Sequence, residues 1–283
     1  MARTILVPLD GSPAAESVLP EVRRLFPSRG KVHLIRLAPA AESQEAMDYL
    51  ARVRQAHFPP NSGVDLVRPE KPADGILRAS LEKNIDLIAM TTHARRGLAR
   101  QFLGSVAAEV VKNSQLPVLL TRPDTPAPSK AIRRILVPIE GYEPPSDLRG
   151  TLKSLCAESR AEIVLLRVLP RVSDPTPLLE SESPLAYGIS PLDRLQEMAD
   201  KLEEDGFYAW PITCAGDPVE EILAHAGRLE VDLIAMSTHA RSGLDRLLEG
   251  SVSEGVLRRA PVAVLLQKPL VVHKGVAAGE AKA

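Results

Sequence analysis

Aromatic side chains are scarce in this chain: Phe, Trp and Tyr together make up 3% of it. A surface that stacks bases needs rows of such rings, so the composition argues against a nucleic-acid platform. Charge of one sign is missing too. The formal net charge is −1 over 283 residues, and no basic field exists to attract nucleic acid or anionic lipid. Cys156 and Cys214 are the only cysteines, too few and too irregularly placed for a metal knuckle or a disulfide framework. They are expected to be buried thiols in a reducing compartment. Long apolar runs are absent as well. Stretches such as Asp232-Leu-Ile-Ala-Met236 are strand length, well short of the roughly 20 residues that span a bilayer. The first strand-like run, Ile5-Leu-Val-Pro8, starts almost at Met1, so no signal peptide is expected. A cytoplasmic protein is expected, with no nucleic-acid or membrane partner.

What the chain does have, it has twice. The segment Asp86–Val106 returns as Asp232–Val252, and the two agree at 15 of 21 positions, which makes a duplicated structural unit the simplest account. Each copy runs through an apolar strand pattern (Leu-Ile-Ala-Met), a polar Thr-His-Ala-Arg loop and a Gly-Ser step that opens an amphipathic helix. A second pair, Arg3–Asp10 and Arg133–Glu140, starts each half. These early segments are 130 residues apart and the later ones 146, so sixteen extra residues lie between them in the second half. The stretch from Arg171 to Pro184, rich in Pro, Ser and Glu, is their natural place and reads as a surface loop or lid.

Half one shows strand-like runs near 4–9, 31–38, 64–68, 86–91 and 117–121. Helical stretches separate them near 13–26, 41–56, 73–83 and 105–114. Half two repeats the order, with strands near 134–139, 162–169, 208–214, 232–237 and 262–266. Strands this apolar are buried on both faces, and alternation with helices means parallel pairing through right-handed crossovers. The expected fold class is therefore α/β, as two tandem doubly wound domains. Their bounds are read as 1–124 and 132–269, joined by a Pro-rich linker at 125–131 and followed by a frayed tail at 270–283. Ser12-Pro13 and Asp217-Pro218 mark helix starts, each an N-cap followed by Pro at the first helical position.

Ligands in such sheets sit beyond the carboxyl ends of the strands, where the winding reverses. Gly104-Ser105 and Gly250-Ser251 fall there. Gly lets a backbone approach a ligand, and Ser brings a hydroxyl and a free amide to the positive end of a helix. Each Ser could instead simply cap its helix, worth about 1 kcal/mol. Two copies at the same distance from an apolar strand favour anion binding. Arg95 and Arg100, with Arg241 and Arg246, add cations near these points, although loop arginines are often merely solvated. His93 and His239 have no nucleophile with a matching acid partner in the sequence, which leaves them orienting rather than catalytic roles. Asp10 ends the first strand; its carboxylate can meet a ribose or adenine edge, form a turn with Gly11-Ser12, or do both.

These marks together resemble the universal stress protein family in a tandem, UspA-like form: Ile5-Leu-Val-Pro-Leu-Asp-Gly-Ser12, the strand-ending Met90 and Met236, the Thr-His-Ala-Arg loops, Gly-Ser-Val, and the Pro-Val strands from Pro117 and Pro261. The resemblance implies Rossmann-like domains of the adenine nucleotide alpha hydrolase type, each a five-stranded parallel sheet of order 3-2-1-4-5. It implies ATP, with or without Mg²⁺, as the ligand. Adenine and ribose would meet Pro8, Asp10, Leu37 and Met90, and the phosphates would meet Thr91, Ala94, Gly104, Ser105 and Val106. The matching positions in half two are Pro138, Glu140, Val168, Met236, Ser237, Ala240, Gly250, Ser251 and Val252. It further implies that the halves pair through their last strands, as an intramolecular pseudo-dimer that can also form a homodimer.

The chain departs from the family's Gly-two-residues-Gly-nine-residues-Gly-Ser signature at its first two glycines, which are Thr91 and Ala94 here, and Ser237 and Ala240 in half two. A β-carbon costs about 1 kcal/mol at each if positive φ is required, and little if only amides are needed. Half two departs further: Glu140 replaces the aspartate, and a bulky Tyr142 follows it. Site one is therefore expected to bind nucleotide better than site two. The function implied is a nucleotide-binding regulator of stress responses with slow or no hydrolysis. The alternatives are a nucleotide-free scaffold working through protein contacts and, further off, a true enzyme such as a slow ATPase or an adenylating ligase.

Overall fold

The apolar runs read from the sequence become parallel strands, and the amphipathic stretches between them become the crossover helices. The computed structural model describes residues 4–25, 30–68, 71–92, 103–128, 130–140, 146–170, 190–237 and 252–268. Half one contains β1 (Thr4–Leu9), α1 (Pro13–Glu16), α2 (Leu19–Leu25), β2 (Lys31–Leu37), α3 (Ser43–His57), β3 (Gly63–Val67), α4 (Pro72–Glu82), β4 (Leu87–Thr91), α5 (Ser105–Asn113) and β5 (Val118–Thr121). Half two contains β6 (Arg134–Pro138), α6 (Ser146–Ser159), β7 (Glu162–Leu169), α7 (Pro191–Glu204), β8 (Tyr208–Ala215), α8 (Pro218–Arg228), β9 (Leu233–Ser237), α9 (Val252–Arg259) and β10 (Ala263–Gln267).

Both marked helix starts form as capped ends. Ser12 Oγ accepts from the Ala15 N–H at 3.1 Å and Asp217 Oδ1 from that of Glu220 at 3.0 Å. Ser190 does the same for α7, accepting from Asp193 N at 3.0 Å. One expected helix, over 13–26, is instead two. Pro20 has no N–H to offer the Glu16 carbonyl and its ring crowds that oxygen, so the chain breaks at Ser17-Val18 and restarts as α2. Another, expected from 41, is preceded by a 3₁₀ turn at Ala40–Glu42.

The described strands form one ten-stranded sheet of order β3-β2-β1-β4-β5-β10-β9-β6-β7-β8. All neighbours are parallel except β5 and β10, which run antiparallel with Leu120 opposite Val264 and Val118 opposite Leu266. Side chains alternate between two apolar layers that both extend across the two halves. Ile5, Val7 and Leu9 face α1 to α3, in a layer shared with α6 and α7. Leu6, Ile88 and Met90 face α4 and α5, in a layer shared with α8 and α9. The winding therefore reverses between β1 and β4, and correspondingly between β6 and β9.

The shared aspartate that opens each repeated segment proves to be a tether. Thr4 N donates to Asp86 Oδ2 at 2.8 Å while Asp86 N returns a bond to the Thr4 carbonyl at 2.8 Å, pinning the start of β1 beside β4. In half two, Asp232 Oδ2 accepts from both Arg133 N at 2.8 Å and Arg134 N at 3.0 Å. Asp232 also receives Arg24 of α2 across the halves, 3.3 Å at Oδ1 and 2.7 Å at its carbonyl. Arg122, just after β5, donates to the Arg258 carbonyl at 3.2 Å and so ties the end of half one to half two. Among the described residues no helix is long and apolar enough to cross a membrane.

The outer strands of half one carry a charged cluster, in which Asp65 of β3 contacts His33 of β2 and, at 2.6 Å, Lys83 after α4. Burial pushes the Asp65 carboxyl up, but hydrogen bonds and charge from Lys83 and His33 outweigh it and hold the group below its ordinary value. A carboxyl depressed in the folded state contributes stability above its unfolded pKa, and loses it as pH falls through the folded one. Wild type is therefore expected to exceed Asp65→Asn in urea-unfolding stability near neutral pH, with the gap closing below about pH 4. A gap that stayed constant down to pH 3 would sink the assignment.

Candidate functional site

The carboxyl ends of β1, β2 and β4 meet where the winding reverses. In register, Pro8 lies opposite Ile35 and Leu9 opposite Arg36, so Asp10 and Leu37 leave the sheet side by side. On the other flank Leu6 lies opposite Ile88, which brings the β4 end at Met90 and Thr91 level with Pro8. Pro8 and Met90 are buried, Leu37 is half-buried and Asp10 is exposed. The result is an apolar floor with a single carboxylate at its rim.

Asp10 forms the turn allowed for it: Oδ1 accepts from Ser12 N at 2.9 Å. Gly11 follows at φ +88°, a left-handed conformation in which a Cβ is strained. Asp10 Oδ2 has no partner among the described residues, so one oxygen still faces outward.

Beyond β4 comes the Gly104-Ser105 step. Gly104 is the cap residue, at φ −57° and ψ 143°, and Ser105 is the first helical residue of α5 with an exposed side chain that caps nothing. The Gly104 N–H donates to the Thr92 carbonyl at 2.7 Å, and Thr92 N donates in turn to Thr121 O at 2.8 Å. The Gly104 N–H is thus engaged within the chain. The first intrahelical bond is Ala108 N to Gly104 O at 2.9 Å. Among the described residues the amides of Ser105, Val106 and Ala107 have no partner, and they stand at the positive end of a nine-residue helix. Such a fan of N–H groups suits an anion.

The departures from the glycine signature are less costly than they look at two of four positions. Neither Thr91 nor Ser237 has positive φ, so a β-carbon there brings no backbone strain. Ala94 and Ala240 lie outside the described residues, as do Gly250 and Ser251, His93 and His239, and the four loop arginines. So does the Arg171–Pro184 stretch. In half two the buried Met236, the half-buried Pro138, Val168 and Ser237 and the exposed Glu140 repeat the half-one arrangement, and Val252 starts α9. The Ser237 hydroxyl is buried with no hydrogen-bond partner among the described residues.

One pair of residues escaped the sequence reading. Arg36 sits one position before Leu37, with its guanidinium 5.2 Å from the Tyr49 ring centroid and beside Gly11. Tyr49 donates to Glu16 Oε1 at 2.8 Å; burial first and the Glu16 carboxylate second push its phenol up. A cation is thus held at the first turn beyond β1 by a fixed aromatic face. Arg167 of β7 holds the equivalent position. The signal was present as Arg36-Leu-Ala-Pro39 and Arg167-Val-Leu-Pro170, a third short repeat masked by its apolar surroundings.

A doubly wound sheet with crossover helices on both faces and a reversal of winding in each half defines a Rossmann-like fold. Residues 1–122 and 131–268 each match the universal stress protein family, and the chain belongs to that family as a tandem of two such domains. It is 30% identical over 142 residues to universal stress protein MJ0531 of Methanocaldococcus jannaschii, covering 48% of this chain and 82% of that one. It is also 30% identical over 99 residues to the stress response protein NhaX of Bacillus subtilis, covering 35% of this chain and 57% of that one. A universal stress protein of Archaeoglobus fulgidus superposes with a TM-score of 0.68 at 20% identity over 95% of this chain and 99% of its own, a likeness of fold.

Proposed function

We propose that this universal stress protein is a regulator that binds an adenine nucleotide, ATP with or without Mg²⁺, in its first half, with slow or no hydrolysis. The observation that carries this is the set of open amides at Ser105, Val106 and Ala107, across the reversal from the outward oxygen of Asp10. In this reading adenine rests on Pro8, Leu37 and Met90, Asp10 accepts from the ribose, and the amides hold the phosphates while Gly104 leaves room for them. The residues fit: the floor is apolar, the rim carries one acceptor, and the helix end supplies donors without a charged side chain. Half two is proposed as a weaker site, because Glu140 puts its carboxylate one methylene further out. The β5–β10 ladder supports reading the halves as a built-in pair, and the cytoplasm as their compartment follows from the sequence reading.

Acid extraction of the purified full chain, followed by chromatography and titration with ATP, tests the proposal. Bound adenine nucleotide, or saturable ATP binding, is expected. No nucleotide even after addition of ATP and Mg²⁺ would favour a scaffold, and rapid release of ADP or AMP would mark an enzyme.

A further inference from the structure

A second cluster of chemistry lies where the outermost strand of half two meets the helix that follows it. Cys214 near the end of β8, with Glu221 and His225 of α8, places a sulfur, a carboxylate oxygen and a ring nitrogen all within 4.8 Å of one another. Neither cysteine is in a disulfide. We propose that these three side chains form a binding site for a single divalent ion of the zinc class.

The donor set selects the metal. A thiolate, an imidazole and one carboxylate suit Zn²⁺ or Co²⁺, whereas Mg²⁺ and Ca²⁺ require oxygen shells. Three protein ligands leave a fourth position for water. Bonds of about 2.0–2.3 Å around a tetrahedral ion put neighbouring donors roughly 3.3–3.8 Å apart. His225 Nδ1 and Glu221 Oε2 are already 3.7 Å apart, so closing the set asks only for small side-chain shifts. Second contacts bear on the ligands. His225 Nδ1, the nitrogen turned to Glu221, now donates to the Glu221 carbonyl at 2.8 Å, so binding an ion there gives up that bond and moves the ring proton to Nε2. Gly216 leaves space for the carboxylate to fold back over the strand end; a Cβ there would lie 2.7 Å from Glu221 Oε1. Burial, then the charge of Glu221 and a hydrogen bond to it, keep the Cys214 thiol protonated, with Arg228 opposing. An ion replaces that proton: the S–H bond breaks, the sulfur keeps the electron pair and donates it to the metal, and H⁺ leaves to solvent.

The site is particular to half two. The equivalent half-one positions are Val67, the register partner of Leu37, with Gly75 and Ala79, which offer no comparable set. Cys214 also pairs in register with Val168, so the ion would sit at the rim of the second crevice, where half two has lost the aspartate of half one.

The test uses the full chain without nucleotide. Titration with Zn²⁺ alone is expected to show one ion bound per chain with about one proton released, and Co²⁺ to give thiolate charge-transfer absorption together with tetrahedral visible bands. Cys214→Ser and Glu221→Gln, both at incompletely buried positions, are each expected to weaken binding at least about 10-fold, while Cys156→Ser leaves it unchanged. Absence of saturable binding by the wild-type chain, or unchanged affinity in either Cys214→Ser or Glu221→Gln, overturns the proposal.

Discussion

Replacing Gly104 with Val and Ser105 with Ala together is expected to weaken nucleotide binding by the full chain about 100-fold, a loss of about 2.7 kcal/mol. The isopropyl group would stand where a phosphate must approach the Ser105, Val106 and Ala107 amides. Losing the hydroxyl would remove a further donor at the same place. Folding should survive, because Gly104 has extended dihedrals open to any L-residue and its bond to the Thr92 carbonyl uses only main-chain atoms. ATP titration with circular dichroism before and after heating reads both effects. The parallel variant in half two, Gly250→Val with Ser251→Ala, should change total binding far less. Binding undiminished in the first variant would show that the phosphates sit elsewhere, and a larger loss in the second would reverse the assigned order of the sites.

The other large effect concerns stability. Asp232→Ala is expected to cost roughly 2–3 kcal/mol in urea unfolding, against about 1 kcal/mol for Asp86→Ala. The two aspartates occupy the same place in the repeat but hold different loads. Asp86 takes one main-chain amide, from Thr4, whereas Asp232 takes two and also receives Arg24 from the other half. The side chain of Arg24 is only 9% exposed, so its lost partner cannot be replaced freely by water. It would keep the main-chain carbonyl of residue 232 and Glu21, whose carboxyl burial already pushes up against the opposing pull of Arg24. Equal losses in the two variants would mean that the contact between halves contributes nothing.

Several features could be read from the chain before any coordinates. The duplication, the parallel α/β class and both Pro-marked helix starts follow from local chemistry: Val, Ile and Leu runs of strand length, and polar caps before proline. Where reading failed, a competing local rule had been underweighted, as at Pro20, whose missing N–H splits an otherwise helical pattern. The site was partly legible. Asp10, Met90 and the Gly-Ser step stand at their expected strand and helix ends, but the sequence could not say that the Gly104 amide is consumed by Thr92. Nor could it show that Thr91 avoids positive φ, because dihedrals at a strand end depend on what the next segment packs against.

Arg36 and the Cys214–Glu221–His225 group illustrate the limit best. An arginine inside an apolar strand reads as noise until Tyr49, thirteen positions on, is seen beneath it. A cysteine seven and eleven positions before two helical ligands matches no short metal motif, because the strand end and the helix face are joined only by folding. The sequence by itself determined the repeat, the strand and helix inventory and the family, since these rest on interactions between near neighbours in the chain. The tertiary structure alone decided the register of the β5–β10 ladder, which amides stay open at α5, and which distant ligands converge. Those depend on register and layer packing between segments far apart, and no local pattern encodes them.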